Sequence, residues 1–297
     1  MYNDIAANKR KTWLLIAAFC LLVIVPWGVY GALAGVDTSA QIIGATIFAS
    51  LFSLFSYFVA DKVALATNGA KQIEKKDAPE LWNLVENLCI ANGQPVPKIY
   101  IVDDPAPNAF ATGRKPETAS IAFTTGILRL LEKSELEGVI AHELSHIRNY
   151  DIRVMTVVVV LVGTVMLLAD IFLRSTMFHG VGRSRDRNGN SAIVLALIGV
   201  ALSILTPLLA KIIQLAVSRS REYLADASGA LLTRHPDGLA SALEKIGAYG
   251  GKLQRANHAT AHLFIANPFG SKQQLAGLFA THPPIAERIK RLRAMGS

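Results

Sequence analysis

The sequence predicts a mainly α-helical membrane protein in which a metal-binding helix and a small β-sheet are joined to transmembrane helices. The first observation is composition, because 52% of the 297 residues are hydrophobic and the mean hydropathy is +0.36. The second is that these residues cluster into long apolar segments. The third is the pentapeptide HELSH at residues 142–146, which has the H-E-x-x-H spacing of a zinc-binding helix.

The basic residues that give the net charge of +8 are distributed along the chain as in a membrane protein. Basic residues flank the apolar segments and do not interleave with aromatic residues, so we expect a lipid bilayer as a partner and no nucleic acid. Cys20 lies in an apolar segment and Cys89 in a predicted helix, so the two cysteines do not indicate a disulfide framework or a metal cluster. This cysteine usage fits a reducing compartment.

Residues 1–66 are predicted to form an amino-terminal transmembrane hairpin. The apolar segments 13–33 and 42–60 are long enough to cross a bilayer, and the first is too long for a signal peptide. Basic residues precede the first segment and follow the second, whereas the connection contains none. The positive-inside rule therefore puts the amino terminus and the chain after the hairpin in the cytoplasm.

Residues 67–153 are predicted to be the first part of a catalytic domain. Residues 79–90 have helical periodicity, 98–103 and 120–126 have strand patterns, and 107–113 are rich in turn formers. The strand at 120–126 has two interpretations. It accepts an extended peptide along a free edge, or it belongs to a plain two-stranded sheet beneath the metal-binding helix.

The helix that carries HELSH is predicted to start near Ser134, because residues 134–137 form a capping-box pattern. Residues four apart lie on one helical face, so His142 and His146 can bind one metal ion. Glu143 lies beside them, where it can accept a proton from a metal-bound water. The alternative is an amphipathic helix with two exposed histidines.

Residues 154–217 are predicted to form a second apolar hairpin, with segments 154–178 and 192–217. The loop between the segments contains Arg183, Arg185 and Arg187, and full spanning would put it outside, against the positive-inside rule. A spanning and a partly inserted hairpin therefore both remain open. Residues 218–297 form the second part of the catalytic domain, with helices predicted at 219–232, 236–249 and 283–295.

A catalytic zinc site needs a third protein ligand. Nothing suitable closely follows His146, so we expect the ligand on a later helix, where Glu222 and Asp226 lie one turn apart. We assign Glu222 to the metal, and we predict that Asp226 orients a ligand histidine through its other ring nitrogen. His258 and His262 are also four apart, but no glutamate follows His258, so we do not predict a metal site there.

Taken together, these motifs resemble the HtpX-type integral-membrane zinc metalloproteases, which are relatives of the CAAX prenyl proteases. The resemblance covers nearly the whole chain and includes both apolar hairpins. Its motifs are PNAFATG at 107–113, HELSH followed by Asp151, Glu222 with Asp226, and THPPIAER at 281–288.

The resemblance implies a gluzincin-like zinc metalloprotease domain on the cytoplasmic side of the bacterial inner membrane. Its implied substrates are misfolded or damaged membrane proteins, in envelope quality control under stress and in overlap with AAA-type membrane proteases. It also implies an active-site role for His282, as a hydrogen-bond donor to the tetrahedral intermediate. Hydrolysis would use zinc with Glu143 as the general base. The alternative is a zinc-binding membrane protein or adaptor without hydrolytic activity.

Overall fold

The computed structural model describes residues 2–34, 38–179, 219–270 and 283–296. The predicted segment 192–217, the arginine-containing loop before it and His282 lie outside the described residues. The described helices of six or more residues are α1 (Tyr2–Ala34), α2 (Thr38–Thr67), α3 (Pro79–Asn92), α4 (Thr125–Leu130), α5 (Lys133–Arg148), α6 (Asp151–His179), α7 (Arg219–Thr233), α8 (Pro236–Tyr249) and α9 (Ile285–Gly296).

The first two helices pack side by side with opposite directions. Phe19 of α1 stacks on Phe52 of α2 at 5.7 Å, and Trp13, nearer the start of α1, stacks on Tyr57, nearer the end of α2. The start of α6 completes a buried apolar cluster with them. Within the described ranges, residues Ile42–Thr67 are the one stretch that is long and apolar enough to cross a membrane, with a mean hydropathy of 2.0. That the first apolar segment also spans the bilayer stays a prediction.

The β-sheet has four strands in the order β1-β2-β4-β3. Strand β1 (Ala70–Gln72) is antiparallel to β2 (Lys98–Val102), which is parallel to β4 (Ser120–Thr124), and β3 (Ala109–Thr112) is antiparallel to β4. Both interpretations of the strand at 120–126 were wrong, because β4 is bonded on both sides and the sheet is larger. The turn-rich segment 107–113 contains β3, which was not predicted.

Helix α5 lies in the core of the fold, where it contacts β3, α7 and α8. Its residues Val139, Ile140 and Leu144 are fully buried in the main apolar core. Two glycines allow the close helix contacts, since a Cβ on Gly138 would lie 2.7 Å from the Leu239 nitrogen of α8. A Cβ on Gly229 of α7 would lie 3.0 Å from the His142 nitrogen.

The amino-terminal cap of α5 differs from the prediction. The helix starts at Lys133, and the cap residue is Glu132, whose backbone N–H donates to the Glu135 carboxylate at 2.8 Å. The capping box therefore lies two positions before the predicted one at Ser134. Glu135 is buried and pairs with Lys245 of α8 at 2.8 Å, so this ion pair joins the start of α5 to its neighbour.

Candidate metal centre

Three side chains from α5 and α7 converge at the middle of the core. His142 and His146 lie one turn apart on α5, and Glu222 reaches them from the first turn of α7. One ligand atom from each residue lies within 4.8 Å of the other two, and all three residues are buried. Glu222, Asp226 and Gly229 share one face of α7, so the glycine lets that face approach His142 closely.

The spacing of the donor atoms fits a tetrahedral metal ion. The two histidine Nε2 atoms are 3.1 Å apart, and Glu222 oxygens lie 3.5 Å from the Nε2 of His146 and 3.9 Å from that of His142. Ligands about 2.0–2.1 Å from a tetrahedral zinc are separated by roughly 3.3 Å. The three residues therefore supply the number, chemistry and approximate spacing of protein ligands that a catalytic zinc takes.

Carboxylates on the far side of both imidazole rings direct the Nε2 lone pairs towards each other. The Nδ1 of His146 bonds Asp151 at 3.0 Å, and the Nδ1 of His142 lies 2.9 Å from Asp226 in a contact too bent for a good hydrogen bond. Because a carboxylate favours the tautomer that carries the proton on Nδ1, the Nε2 of a neutral ring is left free to bind a metal ion. Two unprotonated Nε2 atoms 3.1 Å apart would repel each other, so either a proton or a metal ion is expected between them.

Burial and neighbouring charges shift the pKa of both histidines. For His146, burial disfavours the cation, but the hydrogen bond to Asp151 and the charge of Glu222 outweigh it and raise the pKa to about 9. For His142, burial lowers the pKa despite the contact with Asp226. In the absence of a metal, the histidine pair therefore carries one extra proton, which resides on His146. A metal ion bound between the two rings would take the place of this proton.

Glu143 is the acid beside the two histidines, and its exposed fraction is 1%. Burial raises its pKa to about 7, although the charge of His146 and the nearby Ala111 backbone N–H favour the carboxylate. A pKa close to the working pH suits a group that accepts a proton and returns it. The backbone of strand β3 therefore lies close to the acid.

Asp226 has a partner that the sequence did not reveal. Arg288 of α9 is fully buried and donates two hydrogen bonds to the Asp226 carboxylate, at 2.7 and 2.8 Å. Its Nη1 also lies 3.8 Å from Glu222 and donates to the Ile265 carbonyl at 2.9 Å. Burial would raise the pKa of Asp226, but the charge and hydrogen bonds of Arg288 hold it at about 2.

Asp151 and Asn8 form a second supporting chain of contacts, and the sequence did not indicate a role for either residue. Tyr150, with a φ of 60°, makes the tight turn between α5 and α6 that brings Asp151 back to His146. The Asn8 amide of α1 donates to Asp151 at 2.7 Å and to the Asn149 carbonyl at 2.9 Å. Arg221 lies 3.4 Å from the same carboxylate. The sequence signal that could have identified Asp151 was an acidic residue five positions after the second histidine.

The outer edge of β3 is partly covered by the chain itself. Phe264 forms an isolated antiparallel bridge with Phe110, and the Ile265 N–H donates to the Ala109 carbonyl at 3.0 Å. His262, in the same region, bonds the Met155 carbonyl through Nε2 at 2.8 Å, whereas His258 stacks on Phe269. Neither histidine belongs to the cluster of possible metal ligands.

Comparison with known proteins gives consistent matches over most of the chain. A model of peptidase family M48 matches residues 75–296. A protein named Protease HtpX homolog from Caldanaerobacter subterraneus subsp. tengcongensis is 48% identical, and the match covers 99% of this chain and 98% of that protein. One of the same name from Tropheryma whipplei strain TW08/27 is 47% identical, covering 100% and 99%.

A similar fold is found among solved structures. The crystal structure of S. mikatae Ste24p matches with a TM-score of 0.51 and 18% sequence identity, covering 98% of this chain and 67% of that one. At this identity the match concerns the fold alone.

Proposed function

Because the chain belongs to peptidase family M48 and is a membrane metalloendopeptidase, we propose that it uses zinc to cleave misfolded or damaged membrane proteins. The proposed location is the cytoplasmic face of the bacterial inner membrane, with more than one helix crossing it. The basic residues that flank the first two helices support this orientation. Contact of Asn8 in α1 with Asp151 supports catalysis close to the membrane.

The observation that carries the proposal is the convergence of His142, His146 and Glu222 next to Glu143. We assign the three convergent residues as the zinc ligands. A zinc ion bound there supplies a Lewis acid that polarises the scissile carbonyl and lowers the pKa of water. Asp226 and Asp151 keep the two imidazole rings oriented, which fixes the direction of the Nε2 lone pairs.

Glu143 acts as the general base in this proposal. Its carboxylate takes a proton from the attacking water and delivers it to the nitrogen of the departing amine, so that the peptide C–N bond breaks without forming a free amide anion. The nearby Ala111 N–H favours the charged form of this carboxylate. His282 remains the proposed donor to the tetrahedral intermediate, and it lies outside the described residues.

The test uses the full chain purified in a mild detergent. Cleavage of a destabilised membrane protein should exceed cleavage of its folded form, and a chelator should abolish it until zinc is restored. Glu143→Gln should retain zinc while cleavage falls by about 10²–10⁴-fold or more. Glu137→Gln, a matched change on a partly exposed position of the same helix, should leave activity intact.

The outcomes separate catalysis from the choice of substrate. Normal cleavage by Glu143→Gln would overturn the role of Glu143 as the general base. Absence of chelator-sensitive cleavage by the wild type would favour a zinc-binding protein or adaptor without hydrolytic activity. Equal cleavage of the folded and destabilised substrates would leave the mechanism standing but overturn the proposed substrate class.

A further inference from the structure

An aromatic layer marks one end of the α1–α2 hairpin. Trp13 and Tyr57 stack with ring centroids 6.3 Å apart, and Phe58 meets the Tyr57 ring edge-on at 5.4 Å. Tryptophan and tyrosine collect where the hydrocarbon of a bilayer meets the lipid headgroups. Lys9 lies one turn before Trp13 on α1, so basic residues continue on the headgroup side of this layer.

Two arginines from the catalytic part of the chain converge on this layer. Arg114, two residues after β3, has its guanidinium carbon 5.5 Å from the Tyr57 ring centroid and 4.8 Å from that of Phe58. Arg153 of α6 lies 5.3 Å from the same tyrosine ring. Each guanidinium gains from contact with an aromatic ring, but the two positive charges share one ring and repel each other.

No carboxylate neutralises this pair in the part of the chain that the structure describes. Neither arginine forms an ion pair or a side-chain hydrogen bond with another described residue, and the Nε of each is buried without a partner. Asp61, one turn after Tyr57 on α2, pairs with neither of them. Two buried donors and two adjacent positive charges call for an anion.

We infer that Arg114 and Arg153 bind the phosphate of an anionic phospholipid headgroup. Guanidinium groups bind phosphate with paired hydrogen bonds, and rings such as Tyr57 hold them flat for this contact. The hairpin offers an exposed apolar path for the acyl chains, because Leu54, Phe55 and Phe58 have exposed fractions of 57, 62 and 52%. The two arginines lie at the level of the aromatic layer, where a bilayer presents its headgroups. This position favours a lipid phosphate over a soluble one.

The site is mechanically connected to the metal centre. Thr156, one turn after Arg153, bonds the Thr112 hydroxyl at 2.9 Å and accepts from the Gly113 N–H at 3.0 Å. Strand β3 thereby joins Arg114 to Ala111, whose N–H contacts Glu143. The start of α6 joins Arg153 to Asp151, which bonds His146. A bound headgroup would therefore tie the two segments that support the base and one metal ligand.

Native mass spectrometry of the full chain in a neutral detergent tests this inference. The wild type should bind phosphatidylglycerol in preference to phosphatidylcholine. The double variant Arg114→Gln/Arg153→Gln should lose that preference, with phosphatidylglycerol affinity falling by about tenfold or more. Arg291→Gln is the matched control, because Arg291 also stacks on a ring, that of Tyr223 at 3.8 Å, but is paired with Glu287.

Each result decides the matter. An unchanged lipid preference in the double variant, or none in the wild type, would overturn the inference. Equal competition by soluble glycerol phosphate would show that the arginines take a free phosphate and would overturn the membrane assignment. If the glutamine variant does not fold, Arg114→Lys/Arg153→Lys retains the charges but not the paired donors. It should bind phosphatidylglycerol more weakly than the wild type, and equal binding would contradict the proposed geometry.

Discussion

Arg288 and Asp226 form a fully desolvated ion pair directly behind the candidate metal ligand His142. Two hydrogen bonds join the guanidinium and the carboxylate, Nε to Oδ2 at 2.8 Å and Nη2 to Oδ1 at 2.7 Å. The exposed fractions of the two side chains are 0 and 5%. Loss of one partner therefore leaves an unpaired buried charge. This charge destabilises the folded state by far more than the intact pair stabilises it.

Asp226→Ala should consequently affect folding as well as metal binding. If Asp226 only oriented His142, its loss would lower metal affinity or activity by about 10–100-fold. The unpaired Arg288 cation should in addition lower the free energy of unfolding by about 3–5 kcal/mol. Chemical denaturation in detergent, with zinc content measured in parallel, gives both quantities. The double variant Asp226→Ala/Arg288→Met should recover much of the stability, and no recovery would contradict the buried-charge explanation.

Glu222→Ala should lower zinc content and peptide cleavage together. Two histidines alone bind zinc weakly, and Glu222 is the carboxylate whose oxygens lie nearest both Nε2 atoms in the described centre. Elemental analysis after gel filtration measures the bound metal, and a fluorogenic peptide measures cleavage. Glu287→Ala is the control, since that acid is partly exposed and pairs with Arg291. Full zinc and full activity in Glu222→Ala would require another third ligand.

The metal-free protein should lose stability as the pH rises from 6.5 to 9. The folded-state pKa of His146 is raised to about 9. The stability that its protonation contributes is therefore fully present below the unfolded-state pKa of 6.5 and is lost as the pH rises through the folded-state pKa. Zinc replaces that proton, so the loaded protein should lack this decrease and should release a proton on binding. Thermal unfolding at a series of pH values, with chelator and with zinc, measures the difference. Parallel curves would contradict the assignment of the proton to His146.

Gly138→Ala should separate α5 from α8. The added Cβ would lie 2.7 Å from the Leu239 nitrogen and 2.9 Å from its Cα, and backbone atoms cannot rotate away. We expect a loss of about 1–3 kcal/mol in the free energy of unfolding. Gly163→Ala is the matched control, because its Cβ would meet only the Ala259 Cβ at 3.7 Å. That variant should be neutral or stabilised by about 0.5–1 kcal/mol, and equal effects of the two changes would contradict the close packing.

Single cysteines at Asn87 and Gln254 should react with membrane-impermeant reagents from the same side of the membrane. Both positions are exposed, one in α3 and the other after α8, and both parts of the chain pack around one candidate centre. The positive-inside rule predicts that this side is the cytoplasm. Labelling intact cells and inverted vesicles distinguishes the two faces. Opposite exposure of the two cysteines would contradict a single centre built from α5 and α7.

The sequence revealed the parts of the centre that depend on local spacing. HELSH defines a helical face by itself, and Glu222 with Asp226 repeats the same four-residue interval on α7. The supporting residues could not be found in this way, because Asn8 and Arg288 reach the centre from distant parts of the chain. Strands β1 and β3 were missed for another reason. They contain three and four residues, which is too short for an alternating pattern to stand out.

The distance in sequence between Asn8 and Arg288 also determines when the centre is finished during synthesis. A ribosome makes Asn8 early, before either histidine, and makes Arg288 after every proposed ligand. A chain that has grown only as far as α7 already holds His142, His146 and Glu222, but its Asp226 carboxylate lacks the guanidinium that neutralises it. The ion pair between Asp226 and Arg288 can therefore form only after α9 has been synthesised, so the candidate centre acquires this supporting contact late in translation.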